Sequence, residues 1–366
     1  MVITYVYPNE SKYWENFEWR CVVPSEAINR TGIHKANLIT DVDFSSNSNE
    51  CITACLESDI IVIYKKLYGR VISAIHHWQA REKTIIVDFD EPYQLYEPGT
   101  KDHQLWHEGM QRINGNSIKY ISPSPLTQFK WGLKLVDGVT VPTNRLANDW
   151  LTFNDVEVIP DYIFPDTYTA QNKSVKKKFL TFGWHGKSQQ FINLNTIGLF
   201  ETIEEILDKH QHINFQIYID DEIDFQNTFG ERFTVNTNVE KKEWIKELPG
   251  IDVGLVPIIG DFDQRQPDRS VLEYMVMKIP WIASHGSAFH ELAVYGSIVE
   301  NTKENWKHAI EEMIVNYDAY KTNAEHEPYL FGIERSIDEN IHHTLALYEK
   351  ILQSRKRQLP VRSEDL

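Results

Sequence analysis

Two stretches of this chain place cations, carboxylates and helix starts at spacings suited to gripping an anion. The longer one, residues 251–292, reads IDVGLVPIIGDFDQRQPDRSVLEYMVMKIPWIASHGSAFHEL. It has the pattern of a strand, a polar loop, a helix, a second strand, and a Gly-Ser turn into another helix. Ile251–Val256 is a short apolar run, as in a strand covered on both faces. The loop Pro257–Asp268 carries Asp261, Asp263, Asp268 and Arg265. Asp268 is placed as an N-cap, and Val271, Leu272, Met275 and Val276 follow at helical spacing. A helix start gathers unpaired N–H groups and positive partial charge, so it favours a phosphate. Arg265 and Arg269 add guanidinium forks beside it. Glu273, one turn into the helix, could accept hydrogen bonds from sugar hydroxyls. The shorter stretch is Phe182-Gly183-Trp184-His185-Gly186-Lys187-Ser188, after a strand expected over Phe179–Phe182. Its glycines allow close backbone approach, and Lys187 offers a point charge. The G-x4-GK[ST] spacing of a Walker loop is absent.

The segment Leu272-Glu273-Tyr274-Met275-Val276-Met277-Lys278-Ile279-Pro280-Trp281-Ile282-Ala283-Ser284 resembles the donor-binding segment of group 1 glycosyltransferases of the GT-B type. There an acidic loop leads to a glutamate-bearing helix and a G-I/V-P-V-V-A-S strand. The resemblance implies that Glu273 binds the ribose hydroxyls of a sugar nucleotide. It implies that Lys187, helped by His185 and the close approach at Gly183, contacts the donor diphosphate, together with Arg269 and Ser270. The Asn236 loop would hold the base, and Gly286 and Ser287 would bound the sugar pocket. Many members carry a further glutamate eight residues before the first. Here that position is Arg265, and Asp261 or Asp263 are the acids that could substitute. The runs Val141–Arg145 and Val158–Asp161 are similar to the closing stretch of the family's first domain.

In the first half, Asp88-Phe89-Asp90-Glu91 closes an expected strand, TIIVD. Strand ends in open α/β sheets face ligand, so Asp90 or Glu91 could orient an acceptor hydroxyl. A D-x-D run also suits a metal, though no metal is assigned. His103 and His107 lie four apart, on one helical face, without the order of a His-Glu-x-x-His site. Asp90, His107 and Asp263 are therefore the candidate catalytic groups.

Composition bounds these readings. At 366 residues, two domains are expected. A net charge of −16 argues against a nucleic-acid-binding surface. Cys21, Cys51 and Cys55 are too few for a disulfide scaffold; Cys51 and Cys55 share a helical face. Reduced thiols, no leader-like start and no apolar run of about 18 residues point to a cytoplasmic protein without a membrane span.

Strand-like and helix-like segments alternate through both halves, which predicts parallel sheets covered by helices. The fold class is α/β, and the resemblance implies two Rossmann-like domains facing a cleft. The expected division is 1–165 for an acceptor domain and 175–330 for a nucleotide-sugar domain. Residues 331–354 form a helix crossing back to the first domain, and 355–366 a flexible tail. Pro160–Lys178 is the linker candidate, and Arg355, Lys356 and Arg357 could touch an anionic membrane surface.

The resemblance implies a glycosyltransferase that moves a sugar from a nucleotide diphosphate to a carbohydrate, lipid-linked or other hydroxyl acceptor. Retention of configuration is implied, with no cofactor or metal and the nucleotide sugar as donor substrate. The alternatives are a sugar-nucleotide epimerase of the same fold and a non-catalytic nucleotide-sugar-binding protein, the latter favoured by Arg265.

Overall fold

The structure, a computed structural model, describes residues 1–9, 17–113, 117–170, 178–286 and 289–358. The chain divides into two compact units. One runs to Tyr162 and takes back the chain from Ile337; the other is Ile163–Ser336.

The first unit holds β1 (Val2–Tyr7), β2 (Lys35–Thr40), β3 (Ile60–Tyr64), β4 (Thr84–Asp88), β5 (Met110–Ile113), β6 (Ser117–Tyr120), β7 (Gly138–Val141) and β8 (Val156–Val158). Six of these form a parallel sheet in the order β2-β1-β3-β4-β7-β8. Every residue of β3 and β4 is buried, as their unbroken apolar runs require of central strands. β5 and β6 form a separate antiparallel hairpin that the sequence reading missed.

The last helix, Ile337–Gln358, belongs to this first unit, as the resemblance implied. Ile351 fills the space over Gly138, where an added Cβ would lie 2.7 Å from Ile351 Cδ1. The expected tail is corrected here: residues 355–358 continue the helix. Arg355 is buried, donates to the carbonyls of Lys83 and Gln79, and pairs with Asp137 at 2.5 Å. Its guanidinium serves the fold and is not offered to a membrane. Most of the linker's lysine cluster lies outside the described residues; Pro165–Thr169 within it is a short helix.

The second unit holds β9 (Leu180–Gly186), β10 (Ile213–Ile219), β11 (Phe233–Asn236), β12 (Val253–Val256), β13 (Trp281–Ser284) and β14 (Ser297–Val299). They form one parallel sheet in the order β11-β10-β9-β12-β13-β14. The chain starts in the middle, builds outward to one side, then returns to build the other. The strand order reverses between β9 and β12, which is where open α/β sheets bind ligands, outside the carboxyl ends of the strands.

β9 runs four residues beyond its expected end at Phe182. Gly183, expected to allow close backbone approach to a phosphate, sits inside the strand, paired with Gln216 and Gly254. A Cβ there would collide with Ile251, so this glycine serves sheet packing. Gly254 on β12 has the same duty under the ring of Tyr274.

Lys278 follows the Arg269–Val276 helix with φ +57°, a left-handed conformation that favours glycine. Its N–H donates to Met275 O and that of Ile279 to Tyr274 O, closing the helix end. Lys278 Nζ lies 4.4 Å from the Tyr329 ring centre, which offsets part of the strain. Lys278→Gly is expected to stabilise the second unit by about 0.5 kcal/mol, read as a raised urea midpoint. A lowered midpoint would show that the cation–ring contact outweighs the backbone strain.

Candidate functional site

Three connections leave the carboxyl end of the second sheet, two of them at its switch point. After β9 comes Lys187, then the Ser188–Asn193 helix. After β12 comes the 257–268 loop with a short helix, Gly260–Asp263. After β11 comes the Lys241–Glu247 helix. The Arg269–Val276 helix follows the β12 loop.

A hydrogen bond ties two of these connections across the switch point. Gln190 Nε2 donates to Asp263 Oδ1 at 2.9 Å, while Ile259 N donates to Asp263 Oδ2 at 3.0 Å. Asp263 is buried and fixed in orientation. Gln190 also accepts from Lys187 N at 2.9 Å, which sets the backbone course just after β9. Asp220, at the end of β10, is raised above the usual carboxylate range by burial, and the positive charge of Lys187 opposes that shift. Lys187 is thus a half-buried cation near Asp220 and the chain leaving β9.

A second group gathers on Glu273. Its carboxylate is buried and accepts from Tyr168 Oη at 2.7 Å and Trp244 Nε1 at 2.9 Å. The Trp244 ring lies 5.2 Å from that of His185, the penultimate residue of β9. Burial raises the Glu273 pKa; Lys241, the Trp244 and Tyr168 hydrogen bonds, and Arg269 pull it back down. Lys241 and Arg269 therefore both lie within electrostatic reach of Glu273. Burial pushes the His185 imidazole down to about 3, so it stays neutral at physiological pH.

Both Glu273 oxygens accept hydrogen bonds from protein side chains, and the residue is buried. Any sugar hydroxyl would have to join or displace Tyr168 or Trp244. The N-cap reading of Asp268 is corrected. It stands at the N-cap position but makes no side-chain capping bond; Arg335 holds its carboxylate at 3.0 and 3.3 Å.

Arg265 donates to Asp261 O at 2.7 Å, four residues back, and lies 3.7 Å from the Asp261 carboxylate. Ser270 is half-buried in the first turn of the Arg269 helix. Asn236 ends the edge strand β11, exposed, with Nδ2 donating to Ile217 O at 3.2 Å. Gly286 is buried near Ile258; Ser287 lies outside the described residues.

The first unit's candidates are engaged in its interior. Asp90 is fully buried and accepts from Tyr64 Oη at 2.7 Å, so it is not offered to an acceptor hydroxyl. Glu91 is buried with Lys65 at 2.8 Å and the Tyr96 hydroxyl. His107 caps the Lys101–Trp106 helix, its Nε2 is 2.9 Å from Tyr93 O, and its ring stacks on His103 at 4.4 Å. Among the described residues, no group of three or more His, Cys, Asp or Glu side chains is arranged to hold a metal ion.

Lys241, Trp244, Tyr168, Gln190 and Asp220 were not singled out from the sequence. Gln190 follows the Phe182–Ser188 stretch by two residues; the others meet the site only through the fold.

Glu273 makes a testable pH signature. Its folded pKa lies above the unfolded value, so the stability linked to it is fully present below the ordinary carboxylate range and is lost as pH rises through the folded value. Glu273→Gln cannot ionise. Urea midpoints taken from about pH 4 to about pH 8 should therefore lose less with rising pH in the variant. Equal slopes would contradict a carboxyl held above its ordinary range.

The fold thus defined is that of GT-B glycosyltransferases. Sucrose-phosphate synthase from Thermosynechococcus elongatus is similar over 97% of this chain and 100% of its own, with 12% identity and a TM-score of 0.62. The catalytic domain of starch synthase IV from Arabidopsis thaliana, bound to ADP and acarbose, is similar over 96% and 99%, with 10% identity and a TM-score of 0.63. A UDP-N-acetylglucosamine 2-epimerase from Listeria monocytogenes is similar over 96% and 97%, with 11% identity and a TM-score of 0.55. No protein-family model matches the chain, and no curated protein is significantly similar to it in sequence. No helix among the described residues is long and apolar enough to cross a membrane.

Proposed function

We propose that the second unit binds a nucleoside-diphosphate sugar and that the protein is a glycosyltransferase acting on it. The observation that carries this reading is that Lys187 and the Arg269 helix follow β9 and β12, the strands that flank the switch point of a 3-2-1-4-5-6 sheet, with Lys241 and Arg269 both in electrostatic reach of Glu273. A diphosphate gains negative charge as it leaves the sugar. Fixed cations and oriented N–H groups stabilise that charge without reorganising. In this reading Lys187, Arg269 and Ser270 meet the diphosphate, and Lys241 and Glu273 bound the nucleoside. The Asn236 loop lies on the base side. Asp263, held rigid by Gln190 and Ile259 N, is the acid beside the transferred sugar, because Arg265 stands where the resemblance would put a glutamate. Retention at the anomeric carbon is the outcome that the resemblance implies.

A second reading has support from the epimerase among the similar structures: isomerisation of the bound sugar in place of transfer. One experiment separates them. The protein is incubated with a panel of nucleotide sugars, with and without sugar acceptors, and products are read by NMR. Transfer predicts free nucleoside diphosphate and a new glycoside only when an acceptor is present. An altered nucleotide sugar without acceptor would establish epimerisation, and binding with no product across the panel would leave a binding protein.

A further inference from the structure

Between Glu108 and Asp137 the sequence contains no Asp or Glu, although the chain as a whole carries −16. The same interval holds Arg112, Lys119, Lys130 and Lys134. The hairpin β5–β6 lies inside it. Its register sets Met110 against Tyr120 and Arg112 against Ile118, alternating with Gln111 against Lys119 and Ile113 against Ser117. Side chains alternate across a strand, so one face carries Met110, Arg112, Ile118 and Tyr120. The other carries Gln111, Ile113, Ser117 and Lys119. Each face thus has a cation beside an apolar side chain. Ile113 is 40% exposed, Ile118 45% and Tyr120 68%.

The base of the hairpin is fixed. Ile121 N donates to Gly109 O at 2.8 Å, Gly109 has φ +73°, and a Cβ there would collide with the Ile121 carbonyl. Beyond that base, the two strands pair only with each other among the described residues. Such a hairpin buries little and is marginal in water. A protein partner would cover one face and leave the other's apolar groups wet. A lipid headgroup layer that the hairpin enters surrounds both faces alike. Tyrosine favours that layer, arginine and lysine reach its phosphates with their stems on the apolar side, and anionic lipids attract clustered cations. The acidic remainder of the chain is screened beyond about 8 Å at physiological ionic strength, so the lipid surface responds to the hairpin's own charge.

We propose that β5–β6 is a docking edge for an anionic lipid surface. This does not depend on the reading of the second unit. The test is co-sedimentation of the full chain with vesicles of phosphatidylcholine alone or of equimolar phosphatidylcholine and phosphatidylglycerol. Binding is expected only to the mixed vesicles and should weaken as salt is raised. Arg112→Glu with Lys119→Glu should reduce it by about tenfold or more, and Ile118→Ser with Tyr120→Ser should reduce it at unchanged charge. All four positions are exposed, and thermal midpoints would check that the variants fold. No binding to mixed vesicles, or binding that survives both double variants, would overturn the proposal. So would a solution dimer lost in Ile118→Ser with Tyr120→Ser, which would identify a second copy as the occupant.

Discussion

Replacing Arg20 with methionine should destabilise the first unit by about 3–5 kcal/mol, a large share of the roughly 5–15 kcal/mol that holds a typical domain. Arg20 lies on a π-helical turn, Glu18–Val22, with its side chain buried. Its Nε and Nη2 donate to the two oxygens of Asp88 at 2.8 and 2.6 Å. Its Nη1 donates to Asp161 at 2.7 Å and to Ile159 O at 2.7 Å. One guanidinium thus joins the end of β4 to the chain leaving β8. Asp88 is raised above its usual pKa by burial even with Arg20 opposing that shift. Without the guanidinium, two buried carboxylates lose their cation, and the folded pKa of Asp88 must rise further. The sign follows: the defect should shrink as pH falls and the carboxyls take up protons, and grow as pH rises. Calorimetric scans at several pH values read both effects. Lys35→Met is the control, because its pair with Glu57 is half exposed and should leave the transition where it was. An Arg20→Met protein as stable as the parent would show that the network contributes nothing net.

The second large effect concerns affinity. Arg269→Ala and Lys187→Ala should each weaken binding of a nucleoside diphosphate by about tenfold or more, since a hydrogen bond to a charged group contributes about 1.5–3 kcal/mol. Neither change opens a cavity in the core, because both side chains are only half buried. Lys187→Ala also removes the cation that favours ionised Asp220, so the Asp220 carboxyl should titrate higher in that variant. Calorimetric titration with nucleoside diphosphates and NMR of the Asp220 carboxyl measure the two consequences separately. Nucleoside alone should bind both variants as it binds the parent. If both variants bind the diphosphate unchanged, the cations do not meet it.

Much of the fold was legible because buried parallel strands write themselves as unbroken apolar runs. TIIVD became β4 residue for residue. The end of β9 was not legible, because Gly-Trp-His-Gly reads as a turn. Only the neighbouring strands reveal that Gly183 makes room for Ile251. The hairpin β5–β6 escaped because neither of its faces is buried, so no burial pattern marks it. Arg355 looked like a solvated tail residue, since its partners Lys83, Gln79 and Asp137 lie more than two hundred residues away in sequence.

The candidate site divides in the same way. Arg269 and Glu273 could be picked out because a helix start can be located from sequence, and Lys187 because a lysine follows two closely spaced glycines. The groups that close over Glu273 could not, because Tyr168 and Trp244 reach it from different elements 105 and 29 residues away. Asp263 could be named as an acid of the loop, yet its link to Gln190 exists only once β9 and β12 lie side by side.

Hydrogen exchange of the full chain, with and without a saturating nucleoside diphosphate, tests the central claim most directly. The account predicts slowed exchange in the segment leaving β9 around Lys187, in the 257–268 loop and in the first turn of the Arg269 helix. It predicts no change in β5–β6. Protection confined to the first unit, or none in the second under saturation, would contradict it.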